Sequence, residues 1–441
     1  MKLKFTEVSG GVLAPRGFVG GAVFCDIKRL GTGKGSNKGS KRDLALIVSE
    51  VPAIAAGMFT TNQICAAPVK VSMKHVKSGT ARAIVANSGN ANACTGEQGW
   101  LDAEAMTVLT ANQFGLWPED VLVASTGRIG VLMPMKNVAR GIQAAAQTIS
   151  ASRANAGAIA EAIMTSDTKP KQVAIELKIG GKSVRVAGVC KGAGMIQPGM
   201  SANGQRPAAM ALHATMLCFI TTDAAIEAKT LQPCLEQAVA QSFNRITVDG
   251  DMSTNDTVVV LANGLAENET LTSRSRDLAT LQAALNHVCL ELAKMIVRDG
   301  EGVTRFVTVR VNGAKSLADA DAAARAVANS ALVKTSWFGG DPNWGRIIDA
   351  LGYSPAKIVE EKVDIGYSAP GSSKIVWSLK SGQPTKATFK ELCRMVAPKE
   401  FDLHINLNLG RSSALMYAAD LTEEYVEFNK GDVTDPKTLG G

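Results

Sequence analysis

Short apolar runs and segments with helical apolar spacing alternate along most of the chain, which predicts a mixed α/β protein. "RAIVAN" (82–87) and "VLVAST" (121–126) read as buried strands that end in glycine-containing turns. Between them "LDAEAMTVLTANQFG" has the spacing of a helix closed by Gly115. After the helix-like "SRANAGAIAEAIMTSDT", the segments "QVAIELKI" and "KSVRVAGV" flank Gly180 and Gly181, the pattern of a tight hairpin. The run "MLCFITT" from Met216 to Thr222 predicts a buried strand, "TVVVLANG" a second, and residues 278–297 a long helix. Then "TRFVTVRVNGA", the Ala-rich helix "SLADADAAARAVANSALV", and the strands "EKVDIGY" and "HINLNLG" predict a smaller α/β unit from about residue 300. No internal repeat or Pro-rich linker divides the chain.

Composition narrows the picture. With 441 residues, 46% of them hydrophobic and 20% charged, the chain can bury a large interior and suggests two or three domains. No window approaches the roughly 18 unbroken apolar residues of a membrane span. The start, "MKLKFTEVSGG", reads as no signal peptide, so a cytoplasmic protein is expected, without membrane partners. Eight cysteines lie scattered without a C-x-x-C pair, which favours free, mostly buried thiols over metal ligands. Part of the net charge of +7 comes from "KRLGTGKGSNKGSKR", Lys28 to Arg42. Because Lys34 is followed by Gly35, no phosphate-binding G-x-x-x-x-G-K-[ST] can be fitted, and a mobile surface loop is expected rather than a nucleotide or nucleic-acid site.

Candidate chemistry begins at Ala214-Thr215, just before the predicted strand. A threonine at a new N-terminus carries its own base, an α-amine with a pKa of about 7.7–8.0. Cutting this bond would create one: the Thr215 hydroxyl attacks the Ala214 carbonyl, the acyl group passes from nitrogen to oxygen, and water opens the ester. The dipeptide alone carries little weight, since Ala279-Thr280 and Ala387-Thr388 also occur. The acidic run "DGDMSTND" (249–256) lacks the ligand spacing of a calcium loop and reads as a polar turn, so no metal is expected. Trp337 and Trp344 either line a pocket or pack in the core. His213 is not needed as a base beside an N-terminal threonine.

The surrounding segments are more specific. "NSGNANACTGEQG", "STGRIG", "MTSDTKPK", "KGAGMIQPGM", "ATMLCFITTDA", "VDGDMSTNDT", "RDGEG" and "FGGDPNWGR" follow one another in this order. Together they resemble the ornithine acetyltransferases, also called glutamate N-acetyltransferases, over residues from about Gly11 to Thr434. The resemblance implies an N-terminal-nucleophile-like α/β fold of mixed sheets, shared with DmpA-type aminopeptidases, plus a smaller C-terminal α/β domain. It implies cleavage into an α chain, residues 1–214, and a β chain, residues 215–441, assembled as α2β2.

By the same resemblance Thr215 is the acetyl acceptor, and Thr126 and Gly127 form the oxyanion hole. Thr165, Lys191, Glu301, Asn429 and Thr434 match substrate-binding positions. Lys191 suits a substrate carboxylate and Glu301 a substrate ammonium, charges found on both acetylornithine and glutamate. Read singly, Thr126-Gly127 is also an ordinary strand-to-loop turn, Lys191 a solvated cation, and "RDGEG" a helix C-cap. No cofactor is implied, because the hydroxyl carries the acetyl group; acetyl-CoA is a second donor for some members. An amidase or aminopeptidase of the same fold, with water as acceptor, is the alternative. One departure stands out: Ser201 to His213 intervenes between Met200 and Ala214, where the family runs directly from one to the other. The Gly204- and Pro207-containing part of this insert is expected to be a mobile loop.

Overall fold

The computed structural model describes residues 5–31, 41–205 and 216–430. Two mixed sheets flanked by helices form the fold, in agreement with the α/β pattern of the sequence. The larger has ten strands among the described residues. Eight of them run across it as Thr6–Glu7, Lys171–Ile179, Lys182–Lys191, Leu217–Thr222, Thr257–Ala262, Leu44–Thr60, Thr80–Asn90 and Val121–Arg128. Phe18–Val23 and Met200–Ser201 both pair with the long strand Leu44–Thr60.

The run that includes Leu217–Thr222 is apolar throughout because both sheet faces are covered. Cys218 and Ile220 join a core packed by the helices Ala228–Gln241 and Leu278–Arg298, while Leu217 and Phe219 join a core on the opposite face, with Ile159 of the helix Arg153–Ala162. Side chains in a strand alternate between faces, so a strand buried on both sides needs apolar residues at every position. This central strand runs antiparallel to Lys182–Lys191 and parallel to Thr257–Ala262. Lys171–Ile179 and Lys182–Lys191 form the predicted hairpin, whose turn residues Gly180 and Gly181 have φ of +55° and +81°. Two successive positive φ angles match the twist of the flanking strands, and glycine adopts them without a Cβ clash.

The second sheet orders Ile246–Thr247, Ser412–Ala419, Phe306–Ala314, Glu400–Asn406, Asp364–Ser368, Val376–Lys380 and Gln383–Pro384. Val307, Val309 and Val311 face a core shared with the helices Leu317–Asn329 and Ala331–Phe338. Trp337 is 1% exposed there, edge-on to Phe401, and Trp344 packs partly against the same core. Core packing thus accounts for Trp337. The strand Ser412–Ala419 has no counterpart in the sequence reading. It pairs with Ile246–Thr247, which links this sheet to the segment "VDGDMSTNDT".

The basic segment is not a surface loop throughout. It starts in the helix Ile27–Gly31, where Lys28 is 2% exposed and donates to the Arg42 carbonyl at 2.6 Å; residues 32–40 lie outside the described set. The insert also begins inside the fold. Ser201 pairs with Phe59, and Ala202 packs against the core; Pro207 and the rest of 206–213 lie outside the described residues. All eight cysteines are free, four of them buried and Cys94 exposed. No helix among the described residues is long and apolar enough to cross a membrane.

Candidate active site

Three strands of the larger sheet bring the expected residues toward one end. Thr126 and Gly127 lie near the end of Val121–Arg128, with Ser88 and Gly89 of Thr80–Asn90 beside them in parallel register. Gly127 has φ +131°, and a Cβ there would lie 2.4 Å from the Gly89 carbonyl carbon and 2.6 Å from the Asn90 nitrogen. Both the backbone conformation and the close approach require glycine. Thr126 is 1% exposed, and its Oγ1 accepts a long hydrogen bond of 3.4 Å from Lys191 Nζ. Lys191 ends its own strand opposite Leu217, the first residue of the central strand.

Lys191 is not the solvated cation of the alternative reading. It is 2% exposed, and burial pushes its ammonium below the ordinary lysine value; Asp167 opposes that shift and Lys171 adds to it. Among the described residues its hydrogen bond is the long one to Thr126. A buried cation held this loosely gains from an incoming carboxylate.

Asp167, absent from the sequence expectations, ties the surroundings together. Its Oδ1 accepts from Gly192 N at 2.6 Å and from Lys171 Nζ at 2.7 Å, and its Oδ2 accepts from Thr165 N at 2.9 Å. Lys171 Nζ also reaches Asp299 Oδ2 at 2.5 Å. Burial alone would raise the Asp167 carboxyl, but Lys191 and Lys171 hold it well below the usual range. Burial likewise opposes the Lys171 charge, and Asp167 and Asp299 outweigh it, so that ammonium is raised. The segments "MTSDTKPK", "KGAGMI" and "RDGEG" therefore meet at one buried ionic cluster.

"RDGEG" serves two roles. Its Asp299 caps the helix Leu278–Arg298 and pairs with Lys171, and its Glu301 meets Asn429. Glu301 donates its N–H to Ala193 O at 3.0 Å, and a Cβ on Gly194 would lie 2.4 Å from Glu301 Oε2, so the glycine leaves room for the carboxylate. Asn429 Nδ2 donates to the same Oε2 at 2.9 Å. Asn429 follows the helix Glu423–Phe428, whose cap residue Thr422 donates to Gly302 O at 2.8 Å. The structure thus gathers Thr126 and Lys191, gathers Glu301 and Asn429, and joins the Lys191 and Thr165 segments through Asp167. His213, Ala214, Thr215 and Thr434 lie outside the described residues.

The run 249–256 is indeed a polar turn, but its side chains bind main-chain groups of the site. Asp249 accepts from Met195 N at 2.6 Å and Ile196 N at 2.8 Å, holding the loop after Lys191. Burial raises the Asp249 carboxyl above its ordinary range. It also faces the Tyr425 phenol, which burial and this carboxylate push up. Four successive oxygen-bearing residues in "STND" between turn and strand were the available signal. Two surface cavities, of about 500 and 720 Å³, open elsewhere, beside Cys25 and Arg140 and beside Leu101 and Met135.

The sequence profile of the ArgJ family matches residues 29–432. The arginine biosynthesis bifunctional protein ArgJ of Symbiobacterium thermophilum is 46% identical over 423 residues, 96% of this chain and 98% of that protein. The glutamate N-acetyltransferase of Methanocaldococcus jannaschii is 43% identical over 427 residues, 96% of this chain and 98% of its own length. The crystal structure of an ornithine acetyltransferase from Mycobacterium tuberculosis, complexed with ornithine, is 35% identical, covers 45% of this chain and 100% of that chain, and has a TM-score of 0.40.

Proposed function

The chain belongs to the ArgJ family and is an acyltransferase of arginine biosynthesis, and on that premise we propose that it moves the acetyl group of N2-acetylornithine to glutamate through Thr215. One observation carries the reading: a buried, loosely held Lys191 contacts Thr126, next to Gly127, at the end of the sheet where the strand following residue 215 begins.

The mechanism starts with cleavage of Ala214-Thr215 by the Thr215 hydroxyl, which frees the Thr215 α-amine. That amine takes the hydroxyl proton as Oγ attacks the acetyl carbonyl of acetylornithine. Thr126 and Gly127 stabilise the tetrahedral oxyanion. Its collapse breaks the C–N bond, the α-amino group of ornithine takes the proton and leaves, and an acetyl ester remains on Thr215. The glutamate amine then attacks this ester, gives up a proton, and leaves as N-acetylglutamate, restoring the hydroxyl. Lys191 receives the substrate carboxylate and Glu301, aligned by Asn429, the substrate ammonium. Thr165 completes the pocket, and Thr434 contributes from the C-terminal segment.

The transferred group is carried by the protein's own oxygen, so the chemistry asks for no prosthetic group or metal. The α and β pieces stay together as an α2β2 enzyme in the cytoplasm, with small amino acids as its partners and no nucleic acid. Incubation with acetylornithine and glutamate tests this reading. Ornithine and N-acetylglutamate appearing in equal amounts support it, whereas ornithine with free acetate identifies an amidase. The same assay with acetyl-CoA replacing acetylornithine decides whether that donor is also used.

A further inference from the structure

Two adjacent residues at the end of the run 249–256 reach the two sides of the reaction centre. Asn255 is 2% exposed, and its Nδ2 donates to Ala91 O at 2.7 Å and Ser125 O at 2.8 Å. The Ser125 carbonyl shares a rigid peptide plane with the Thr126 nitrogen, so this amide fixes the strand where the oxyanion pair begins. Asn255 is itself held: its Oδ1 accepts from Thr254 Oγ1 at 2.5 Å, and its N–H donates to Ser253 Oγ at 2.9 Å.

Asp256 is 0% exposed, and its Oδ1 accepts the N–H of Met216, the residue bonded to Thr215. Its carbonyl accepts from Thr60 N at 2.9 Å, and Thr257 N donates to Met216 O at 3.0 Å, so carboxyl and backbone are both anchored. Adjacent Cα atoms across a trans peptide are about 3.8 Å apart, which makes the dipeptide a short, stiff spacer.

We propose that Asn255 and Asp256 are positioning residues that set the separation between the oxyanion donors and the nucleophile. This rests on the reading of Thr215 as that nucleophile. The pair touches neither substrate nor reacting atoms; it acts through Ser125-Thr126 on one side and Met216 on the other. Asp256 Oδ2 has no hydrogen-bond partner among the described residues, and burial pushes this carboxyl well above its usual range. Asparagine is a close replacement that keeps the acceptor for Met216.

Steady-state transfer by the full-length variants Asn255→Ala, Asp256→Ala, Asp256→Asn and Thr215→Ala tests the proposal, with folding checked by circular dichroism. A displacement of about 1 Å costs on the order of 100-fold in rate. Asn255→Ala and Asp256→Ala are expected to lose kcat on that scale with little change in KM, and Asp256→Asn to recover most of it. A merely structural pair would lower the unfolding midpoint and leave kcat of the folded fraction unchanged, which overturns the proposal, as does a loss confined to KM. If either alanine variant does not fold, Asp256→Asn decides: a folded, inactive Asp256→Asn contradicts the acceptor role, and an active one supports it. Thr215→Ala separates the two levels. Transfer by that variant overturns the nucleophile reading and this one with it, whereas an inactive Thr215→Ala beside a fully active Asn255→Ala overturns only the positioning pair.

Discussion

The Asp167 carboxylate accepts the Gly192 N–H at 2.6 Å on the same oxygen that binds the Lys171 ammonium. The turn that follows Lys191 is therefore held by a buried ion whose own charge is balanced by Lys171, and Asp299 balances Lys171 in turn.

Lys171→Met is expected to remove about 3–5 kcal/mol of stability at pH 7, because it takes the salt-bridge partner from Asp299 and leaves the wholly buried Asp167 with Lys191 alone to offset its charge. Urea unfolding measures the loss. Asp167 is depressed in the folded state, so its contribution is present above its unfolded value of 3.8 and fades as pH falls through the lower folded value. Lys171 is raised, so its contribution is present below 10.5 and fades only as pH rises through the higher folded value. The difference between wild type and variant should thus be flat across neutral pH and shrink in strong acid. A constant difference down to the acid limit would count against the ionic explanation.

The Lys191 ammonium is lowered mainly by burial, so its charge is lost at a pH below the ordinary 10.5. KM for glutamate and acetylornithine should rise with pH earlier than an ordinary lysine would cause. Lys191→Met should raise both KM values at pH 7 and flatten that rise. Unchanged KM values would remove Lys191 from carboxylate binding.

Gly127→Ala drives a Cβ into the Gly89 and Asn90 backbone at a positive φ. The displaced oxyanion donors should cost about 100- to 1,000-fold in transfer rate. Self-cleavage, which passes through the same type of oxyanion, should slow in parallel. A variant that cuts at the normal rate but fails to transfer would show that the two reactions use different donors.

Within the insert between Met200 and Ala214, Ala202 packs against the core. Removing residues 203–213 should leave self-cleavage and transfer largely intact, as followed by gel and rate assay. Loss of cleavage in a folded deletion variant would give the insert a part in shaping the scissile turn.

The fold was legible where local pattern carries it. Gly180-Gly181 between two apolar runs announced the hairpin, and the uninterrupted run through Leu217–Thr222 announced a strand covered on both faces. Gly127 and Lys191 stood out through their motifs, but the close backbone approach at the first and the burial of the second did not. Asp167, Asn255 and Asp256 were not, because each acts on main-chain groups that are distant in sequence and exert no periodic signal: Asn255 grips Ala91 and Ser125, and Asp167 shares Lys171 with Asp299. Lys28 misled for a related reason, since a lysine in a basic Gly/Ser-rich stretch reads as exposed until Arg42 O is seen to receive it.

The proposed mechanism requires a covalent acetyl group on a freed N-terminal threonine. Intact-mass and peptide analysis of the enzyme incubated with acetylornithine alone tests it most directly. Two chains are expected, the second beginning at Thr215 and heavier by one acetyl group on the threonine oxygen, with that mass lost when glutamate is added. An uncut chain that still transfers acetyl, or a Thr215 fragment left unmodified while ornithine is released, would contradict it.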